Sequence, residues 1–142
     1  MKTVSQILET KGSTIYSVAP ESLVYDALLI MAEHHIGALV VMHRDKMVGI
    51  FSERDYAREV VIKGKTSKTT TVRDIMSVQL ITVTPDDSID HCMNLMSGKR
   101  IRHLPVLDGE KLVGLLSIGD LVKETIAYQE FLIKQLESYI QS

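Results

Sequence analysis

Cysteine, tryptophan and proline are scarce in this 142-residue sequence, which holds one Cys, no Trp and three Pro. The lone Cys92 cannot form an intramolecular disulfide, so a disulfide-stabilised secreted fold is excluded and a reducing compartment is indicated. The first residues lack the apolar core of a secretory signal, and the longest apolar run, residues 36–42, falls far short of the roughly 20 residues that cross a bilayer. The sequence therefore predicts a cytoplasmic protein without a membrane-spanning segment.

An excess of one charge is also missing, because 16 Lys and Arg balance 18 Asp and Glu for a formal net charge of -2. This balance gives no general attraction to nucleic acid. The five histidines and Cys92 do not follow the spacing of a zinc site, and no Gly-x-Ser-x-Gly sequence marks an activated serine. We therefore expect no nucleic-acid partner, no metal site and no catalytic residues, and we expect the Cys92 thiol to be buried and inert.

An internal repeat organises the chain, because aligning the sequence with itself at an offset of 65 residues superposes identical residues without a gap. A constant offset through several predicted elements indicates two copies of one supersecondary unit, at about 15–61 and 80–126. Two copies are too few for a solenoid, so a closed pseudo-symmetric pair is expected. The coincident pairs include Pro20 with Pro85, Met31 with Met96, Gly49 with Gly114, Ser52 with Ser117 and Asp55 with Asp120.

Each copy shows the same order of periodicities, β-α-β-β-α, which predicts an α+β fold with a three-stranded sheet against two helices. A short strand ends at a proline, an amphipathic helix follows, and two apolar runs form a hairpin before a second helix begins at Ser52 or Ser117. Ser22, and Asp87 or Ser88, are candidate N-caps of the first helices. The predicted strands are residues 16–18, 38–42 and 47–51 in repeat 1, and 81–83, 104–107 and 112–116 in repeat 2.

Two further helices are predicted outside the repeats. Residues 3–11 carry apolar residues at helical spacing and end at Gly12, a candidate C′ residue. The last helix runs from about Gly119 to the end, and its apolar stripe is longer than one repeat needs, which suggests a partner helix. The expected division is an N-terminal docking segment (1–14), repeat 1 (15–62), a polar linker that leads into repeat 2 (63–79), repeat 2 (80–126) and a C-terminal helix extension (127–142).

The most specific motif is Gly-h-h-Ser-x-x-Asp, where h is apolar, present at 49–55 and again at 114–120. A Ser at the N-cap with an Asp three residues later forms a capping box, which is a purely structural role. The same strand-to-helix junction also offers backbone N–H groups and a positive dipole end to a phosphate, and a carboxylate that can accept hydrogen bonds from two ribose hydroxyls. The two interpretations are compatible.

Further short motifs accompany this duplicated one: Val-x-Pro at 18–20 and 83–85, the strand Ile101-Arg102-His103-Leu104-Pro105-Val106, and the segments 72–76 and 52–56. Together they resemble the tandem CBS (cystathionine β-synthase) domain pair, or Bateman module, of small stand-alone bacterial proteins. The resemblance covers essentially the whole repeat region. It implies binding of adenosine-containing ligands (AMP, ADP, ATP, NAD-type dinucleotides or S-adenosylmethionine) in the cleft between the repeats, frequent dimerisation as a flat disk, and a function in sensing.

The resemblance also implies site residues at positions that match the family's motif. Asp55 and Asp120 look like the ribose-binding aspartates, and Ser52 and Ser117 look like the hydroxyls near the α-phosphate. The family's adenine slot uses the start of the opposing repeat together with its second strand. Here these segments contain Thr14, Tyr16, Ile36 and Gly37 in repeat 1, and Met76, Thr82 and Ile101 in repeat 2.

The two sites are expected to differ in charge. Repeat 2 has Lys99, Arg100, Arg102 and His103 where repeat 1 has His34, His35, Gly37 and Ala38. The planar guanidinium fork of Arg suits phosphate, so the better anion contact is expected in repeat 2. Arg102 and His103 lie at the start of an apolar strand, at positions that contact phosphate in the resembled family, so the resemblance favours the phosphate role for them. Lys99 and Arg100 fit a phosphate contact and a solvated face equally well. Arg54 either adds a phosphate contact beside Asp55 or pairs with Glu53 or Asp55.

These observations favour a non-catalytic sensor of AMP, ADP, ATP or NAD(H) that changes the arrangement of a homodimer when the ligand binds. A ligand can do so only by binding one arrangement better than the other. The alternative is a ligand-independent dimerisation module with vestigial pockets. An enzyme is least favoured because no general base stands out beside the two aspartates. The implied partners are an adenosine-containing small molecule, a second copy of the chain and an effector protein that the sequence does not identify.

Overall fold

The computed structural model describes residues 2–141, which form two compact units of mixed helix and strand. One unit is continuous, residues 14–81, and contains repeat 1. The other combines residues 2–13 with residues 82–141 and contains repeat 2. The elements are α1 (Val4–Lys11), β1 (Ser17–Val18), α2 (Val24–His34), β2 (Ala38–His43), β3 (Lys46–Ser52), α3 (Glu53–Tyr56), α4 (Val72–Ile75), α5 (Ile89–Lys99), β4 (His103–Asp108), β5 (Lys111–Ser117) and α6 (Ile118–Gln141).

The repeat 1 unit has a three-stranded sheet in the order β1-β2-β3, with β1 parallel and β3 antiparallel to β2. The central strand β2 is almost wholly apolar and buried over residues 38–41, as expected of a strand covered on both faces. Helix α2 buries Val24, Ala27 and Met31 at helical spacing, as the sequence predicts. After α3 the backbone continues as a π-helical turn over Ala57–Val61. The predicted α+β class is confirmed.

The repeat 2 unit has the matching hairpin β4-β5, but the strand predicted over 81–83 is wrong in extent. Only Val83 remains, as an isolated parallel bridge to Val106. In repeat 1 the Val40 N–H donates to the Tyr16 carbonyl at 3.4 Å. The corresponding position in repeat 2 is Pro105, which has no N–H to donate, so one rung of the ladder cannot form.

The predicted helix starts are right in repeat 2 and wrong in repeat 1. Ser88 is the N-cap of α5, and its hydroxyl accepts from the His91 N–H at 3.1 Å. The N-cap of α2 is Leu23, which has no side-chain acceptor, and not Ser22. The Ser22 carbonyl instead accepts the Val72 N–H at 2.8 Å. Helix α5 also buries Cys92, as predicted, and burial raises the pKa of its thiol to about 11.

Both hairpins turn more tightly than predicted, with two residues rather than four between the strands. In repeat 1 the turn residues Arg44 and Asp45 have φ of 49° and 65°, the left-handed pair that matches the twist of a tight hairpin. In repeat 2 the first turn residue is Gly109, with φ of 65°. The periodicity placed the strands correctly. It missed one polar residue at the end of β2 and one polar residue at each end of β3, β4 and β5, because these exposed or half-buried residues still pair.

Two short helices, one before each repeat along the chain, each lie in the unit of the other repeat. The predicted N-terminal helix is confirmed as α1, capped by Thr3 and ended by Gly12 at φ of 95°, and it lies in the repeat 2 unit. The predicted linker contains a helix that the sequence analysis did not identify, α4, and it lies in the repeat 1 unit. The backbone hydrogen bonds of α1 and α4 correspond closely. The Val4 and Ser5 N–H groups donate to the carbonyls of Asp87 and Pro85, and those of Val72 and Arg73 donate to the carbonyls of Ser22 and Pro20.

Helix α6 has 24 residues, as the long apolar stripe predicts, but it buries only Leu121. None of the helices within residues 2–141 combines the length and the apolar character that crossing a bilayer requires. The exposed large apolar side chains of α6 are Ile118, Val122, Ile126, Phe131, Leu132, Ile133, Leu136, Tyr139 and Ile140.

Candidate functional site

In repeat 1 the Gly-h-h-Ser-x-x-Asp motif forms the junction between β3 and α3. Ser52 is the N-cap, and its hydroxyl accepts from the Asp55 N–H at 3.2 Å. The Asp55 Oδ2 atom accepts from the Ser52 N–H at 2.9 Å and from the Ser52 hydroxyl at 3.0 Å. The Glu53 N–H donates to the Gly37 carbonyl at 3.1 Å. The predicted capping box is confirmed, and it fixes the orientation of the Asp55 carboxylate.

Repeat 2 repeats this geometry between β5 and α6. The Asp120 N–H donates to the Ser117 hydroxyl at 3.2 Å, and Asp120 Oδ2 accepts from the Ser117 N–H at 2.8 Å. One contact has no counterpart among those of Asp55 described above. The Lys11 ammonium, at the end of α1, donates to Asp120 Oδ2 at 2.5 Å and to the Leu115 carbonyl at 2.6 Å.

The lysine changes the electrostatics of an otherwise matched pair of carboxylates. Burial raises the pKa of Asp55, and the hydrogen bonds from Ser52 offset that effect only in part. Burial also raises the pKa of Asp120, but Lys11 and the Ser117 amide outweigh it, so the pKa of Asp120 lies below its ordinary value. The Asp120 carboxylate is therefore the more firmly ionised of the two.

The predicted adenine-slot residues of repeat 1 are spread over several elements. The Tyr16 ring is stacked on the His34 ring, with 3.8 Å between the centroids. Ile36 and Gly37 help to line a cavity of about 640 Å³ beside α2 and α3, whose lining does not include Ser52 or Asp55. Thr14 is exposed.

The residues predicted to form the other adenine slot also occupy different elements. Met76, directly after α4, packs over Gly49, where an added Cβ would lie 2.7 Å from its sulfur. Thr82 is half-buried just before the Val83 bridge, and Ile101 is half-buried between α5 and β4. Whether any of the predicted slot residues contacts a ligand stays a prediction.

The basic residues predicted for repeat 2 lie where α5 passes into β4. Arg100 is the exposed left-handed cap of α5, with φ of 55°, and the Ile101 N–H behind it donates to the Met96 carbonyl. The Arg102 carbonyl accepts the first N–H of α6, from Ile118, at 2.8 Å, while its side chain is exposed. Arg54, on α3, is half-buried. Within residues 2–141, no three His, Cys, Asp or Glu side chains are grouped so that they could hold a metal ion.

His103, the first residue of β4, is uncharged at neutral pH. Burial, aided by the nearby positive charges of Lys11 and Arg102, lowers the pKa of its imidazole to about 4. A contact from His103 to an anion would therefore be a neutral hydrogen bond rather than an ion pair. The charges available to a phosphate in this part of repeat 2 are those of Lys11 and Arg102.

The shifted histidine gives an expected pH dependence of stability. Because the pKa of His103 is near 6.5 in the unfolded chain and about 4 in the fold, protons bind the unfolded state preferentially between these values. The contribution is complete above pH 6.5 and is lost as the pH falls towards 4. We expect His103→Asn to recover about 1–2 kcal/mol of the loss in free energy of unfolding between pH 7 and 5, measured by urea denaturation. The exposed hairpin histidine His43 supplies the control, and an equal recovery in His43→Asn would contradict the assignment.

Lys11 is the site residue that sequence reasoning missed. The available signal is a second offset, because Val4, Ile7 and Leu8 align with Val72, Ile75 and Met76 at 68 residues rather than 65. This offset pairs α1 with α4 and marks both segments as parts of the repeats. It does not reveal that Lys11 reaches Asp120, 109 residues along the chain.

The duplicated junctions lie inside the two segments, residues 4–62 and 72–126, that match the CBS domain. The chain belongs to the CBS domain family. Each segment supplies one CBS motif, and the second segment includes α4 at its start. The first likewise begins with α1, so both short helices belong to the CBS domain as the family defines it.

Known CBS proteins resemble the chain over most of its length. The mitochondrial CBS domain-containing protein CBSX3 of Arabidopsis thaliana is 37% identical over 148 residues, covering 98% of this chain and 72% of that protein. A solved protein with CBS domains from Burkholderia ambifaria MC40-6 is 53% identical, with a TM-score of 0.86 over 89% of this chain and 95% of that chain.

One solved CBS domain pair carries adenosine ligands. The CBS pair of protein MJ0100 was determined in complex with 5′-methylthioadenosine and S-adenosyl-L-methionine. It is 24% identical, with a TM-score of 0.79 over 90% of this chain and 98% of that chain. At this identity the likeness shows a shared fold.

Proposed function

We propose that this chain is a CBS-pair regulatory protein that binds adenosine nucleotides (AMP, ADP, ATP or NAD(H)) at its two Ser-x-x-Asp junctions. The observation that carries the proposal is the twofold orientation of a carboxylate by its own serine. At each junction the Ser amide holds the Asp Oδ2 atom at 2.8–2.9 Å, at the start of a helix. A carboxylate fixed in this way is prepared to accept the adjacent hydroxyls of a ribose.

The chemistry around each carboxylate supports a phosphate-bearing ligand rather than a free sugar. Arg54 follows Glu53 in α3, and Lys11 and Arg102 accompany Asp120. The adenosine complex of the MJ0100 CBS pair supports the nucleoside class. As part of this proposal, we assign the protein a non-catalytic sensing role in the cytoplasm that is read by an effector protein.

A second candidate function, a dimerisation module, is favoured by α6. Its exposed apolar residues Val122, Ile126, Ile133, Leu136 and Ile140 follow the alternating three- and four-residue spacing of a coiled-coil seam, with Gln129 at the remaining position. A second copy of the same helix fits this seam because like seams are self-complementary. We propose a homodimer in both functions. The two functions differ in one respect: in the sensor a bound nucleotide changes the arrangement of the homodimer, and in the dimerisation module it does not.

Calorimetric titration of ligand-stripped protein with AMP, ADP, ATP, NAD, NADH and S-adenosylmethionine tests the proposal. We expect saturable binding of at least one nucleotide and a change in sedimentation of the dimer at saturation. S-adenosylmethionine, which shares the adenosine but carries no phosphate, is the comparison that reports on the phosphate contacts. A dimer that gives no heat and no rise in melting temperature with any of these compounds would instead establish the dimerisation module.

A further inference from the structure

The contact between Lys11 and Asp120 places a cation of the chain itself on a proposed ribose-binding carboxylate. The Lys11 ammonium donates to Asp120 Oδ2 at 2.5 Å and to the Leu115 carbonyl at 2.6 Å, and both acceptors belong to the β5–α6 junction. An ammonium group has three N–H donors, so one donor remains for a further acceptor. The Lys11 side chain is 36% exposed, whereas the Asp120 side chain is 22% exposed. Both side chains are therefore partly accessible from solvent.

An exposed salt bridge with a purely structural role contributes little to stability. Three features indicate that the pair of Lys11 and Asp120 has a further role. The partner Asp120 is already held by the Ser117 amide, so the pair is not needed to orient it. Lys11 also bonds a strand carbonyl, so its position is fixed at two points. The positive charge of Lys11 also helps burial to lower the pKa of the nearby His103 imidazole.

We propose that Lys11 is a specificity-determining residue of the repeat 2 site, where it competes with a ribose for Asp120 and transfers its ammonium to the phosphate of an anionic ligand. This inference rests on the proposed function. A neutral nucleoside must displace the ammonium from Asp120 without offering it a new anionic partner. A nucleoside phosphate replaces the lost carboxylate contact with a charge-assisted contact to its own oxygens.

The sequence of repeat 1 has no lysine at the position that corresponds to Lys11. Counting 68 residues on from Lys11, the offset that aligns α1 with α4, leads to Gln79, which carries no charge. The positions that correspond to Arg102 and His103 are Gly37 and Ala38. The proposal therefore predicts that selection for the phosphate group is stronger at repeat 2, and that it depends on a residue from the first turns of the chain.

The test compares adenosine with AMP at repeat 2 alone, in an Asp55→Ala background. Affinities are measured by NMR chemical-shift titration in wild-type Lys11, Lys11→Met and Lys11→Arg proteins. Methionine and arginine are both good helix formers at the exposed end of α1, so the helix is retained. We expect Lys11→Met to tighten adenosine binding a few-fold and to lower the ratio of AMP to adenosine affinity about tenfold, whereas Lys11→Arg retains the ratio.

The matched control is Lys111→Met, which removes the same charge at the opposite end of β5. It should leave the ratio within twofold of the parent. A direct readout is the ¹³Cε resonance of Lys11, which should move on addition of AMP and not of inorganic phosphate alone at the same concentration. If the Lys11→Met protein binds both ligands with an unchanged ratio of AMP to adenosine affinity, the role of Lys11 is overturned and nucleotide binding at repeat 2 stands. No binding of either ligand in any variant, the parent included, would overturn this inference and nucleotide binding at repeat 2 together.

Discussion

Replacing Asp55 and Asp120 together by alanine is expected to abolish nucleotide binding while the protein remains folded. Each carboxylate is proposed to accept the ribose hydroxyls, and a hydrogen bond to a charged group contributes about 1.5–3 kcal/mol, so each site should lose roughly 10- to 100-fold in affinity. Calorimetry with the best ligand of the wild-type series measures the loss. Because the two sites stand on separate junctions, the single variants should each remove one class of site.

The control has to separate ribose binding from helix capping. Each aspartate also accepts the amide of its own serine, so the alanine variants lose a capping contact worth about 1 kcal/mol. Asp55→Asn with Asp120→Asn retains a side-chain acceptor for that amide but removes the charge, and it should bind as weakly as the alanine variant with near wild-type stability. Asp26→Ala with Asp90→Ala removes two exposed first-turn aspartates of α2 and α5 and should bind normally. Full affinity in the asparagine variant would contradict the ribose assignment.

The second large effect is expected at Gly49, where β3 meets the chain segment after α4. A Cβ at this position would lie 2.7 Å from the Met76 sulfur and 3.0 Å from the Ser77 carbonyl oxygen. That carbonyl is fixed, because Ser77 and Ile50 exchange backbone hydrogen bonds of 2.8 and 3.0 Å. Gly49→Val should therefore push α4 away from the sheet and lower the free energy of unfolding by about 1–3 kcal/mol, seen as a lower midpoint in urea.

Substitutions at two other glycines provide comparisons for the effect of Gly49→Val. At Gly114 the nearest atoms to an added Cβ belong to the Leu8 side chain, at 2.7 Å, rather than to a backbone carbonyl. A side chain yields more readily than backbone, so Gly114→Val should cost less than Gly49→Val. At Gly98, inside α5, a Cβ meets nothing within 4 Å, and Gly98→Ala should raise stability by up to about 1 kcal/mol because alanine favours the helix. A Gly49→Val protein that unfolds at the wild-type urea concentration would show that α4 does not pack as described.

The sequence predicted what is encoded locally and missed what depends on distant partners. The hairpins and the capping boxes follow from spacing within a few residues, and the repeat follows from comparing such local patterns along the chain. All three are confirmed. Ser22 looked like an N-cap because its residue type is suitable, but its carbonyl is engaged by Val72, 50 residues further on. The short first strand of repeat 2 was overestimated because the effect of Pro105 appears only once its partner strand is known.

The candidate site shows the same division. Ser52, Asp55, Ser117 and Asp120 were found because each pair lies within four residues and occurs twice. Lys11 was not found, because its contact with Asp120 links the two most separated parts of the repeat 2 unit. The candidate motif was therefore predictable from the sequence, whereas the Lys11 charge beside its second copy depends on the folded chain.

The exchange of α1 and α4 between the repeats also sets an order of events during synthesis. Residues 14–81 form a continuous unit, so all three strands of its sheet are available to pair once residue 81 has left the ribosome. Helix α1 is synthesised before this unit, yet its residue Leu8 packs against Gly114 of β5, which emerges about a hundred residues later. Closing so long a loop adds little entropic cost, since that cost grows only with the logarithm of loop length. The Leu8 side chain therefore gains this β5 partner only after the whole repeat 1 unit has been synthesised.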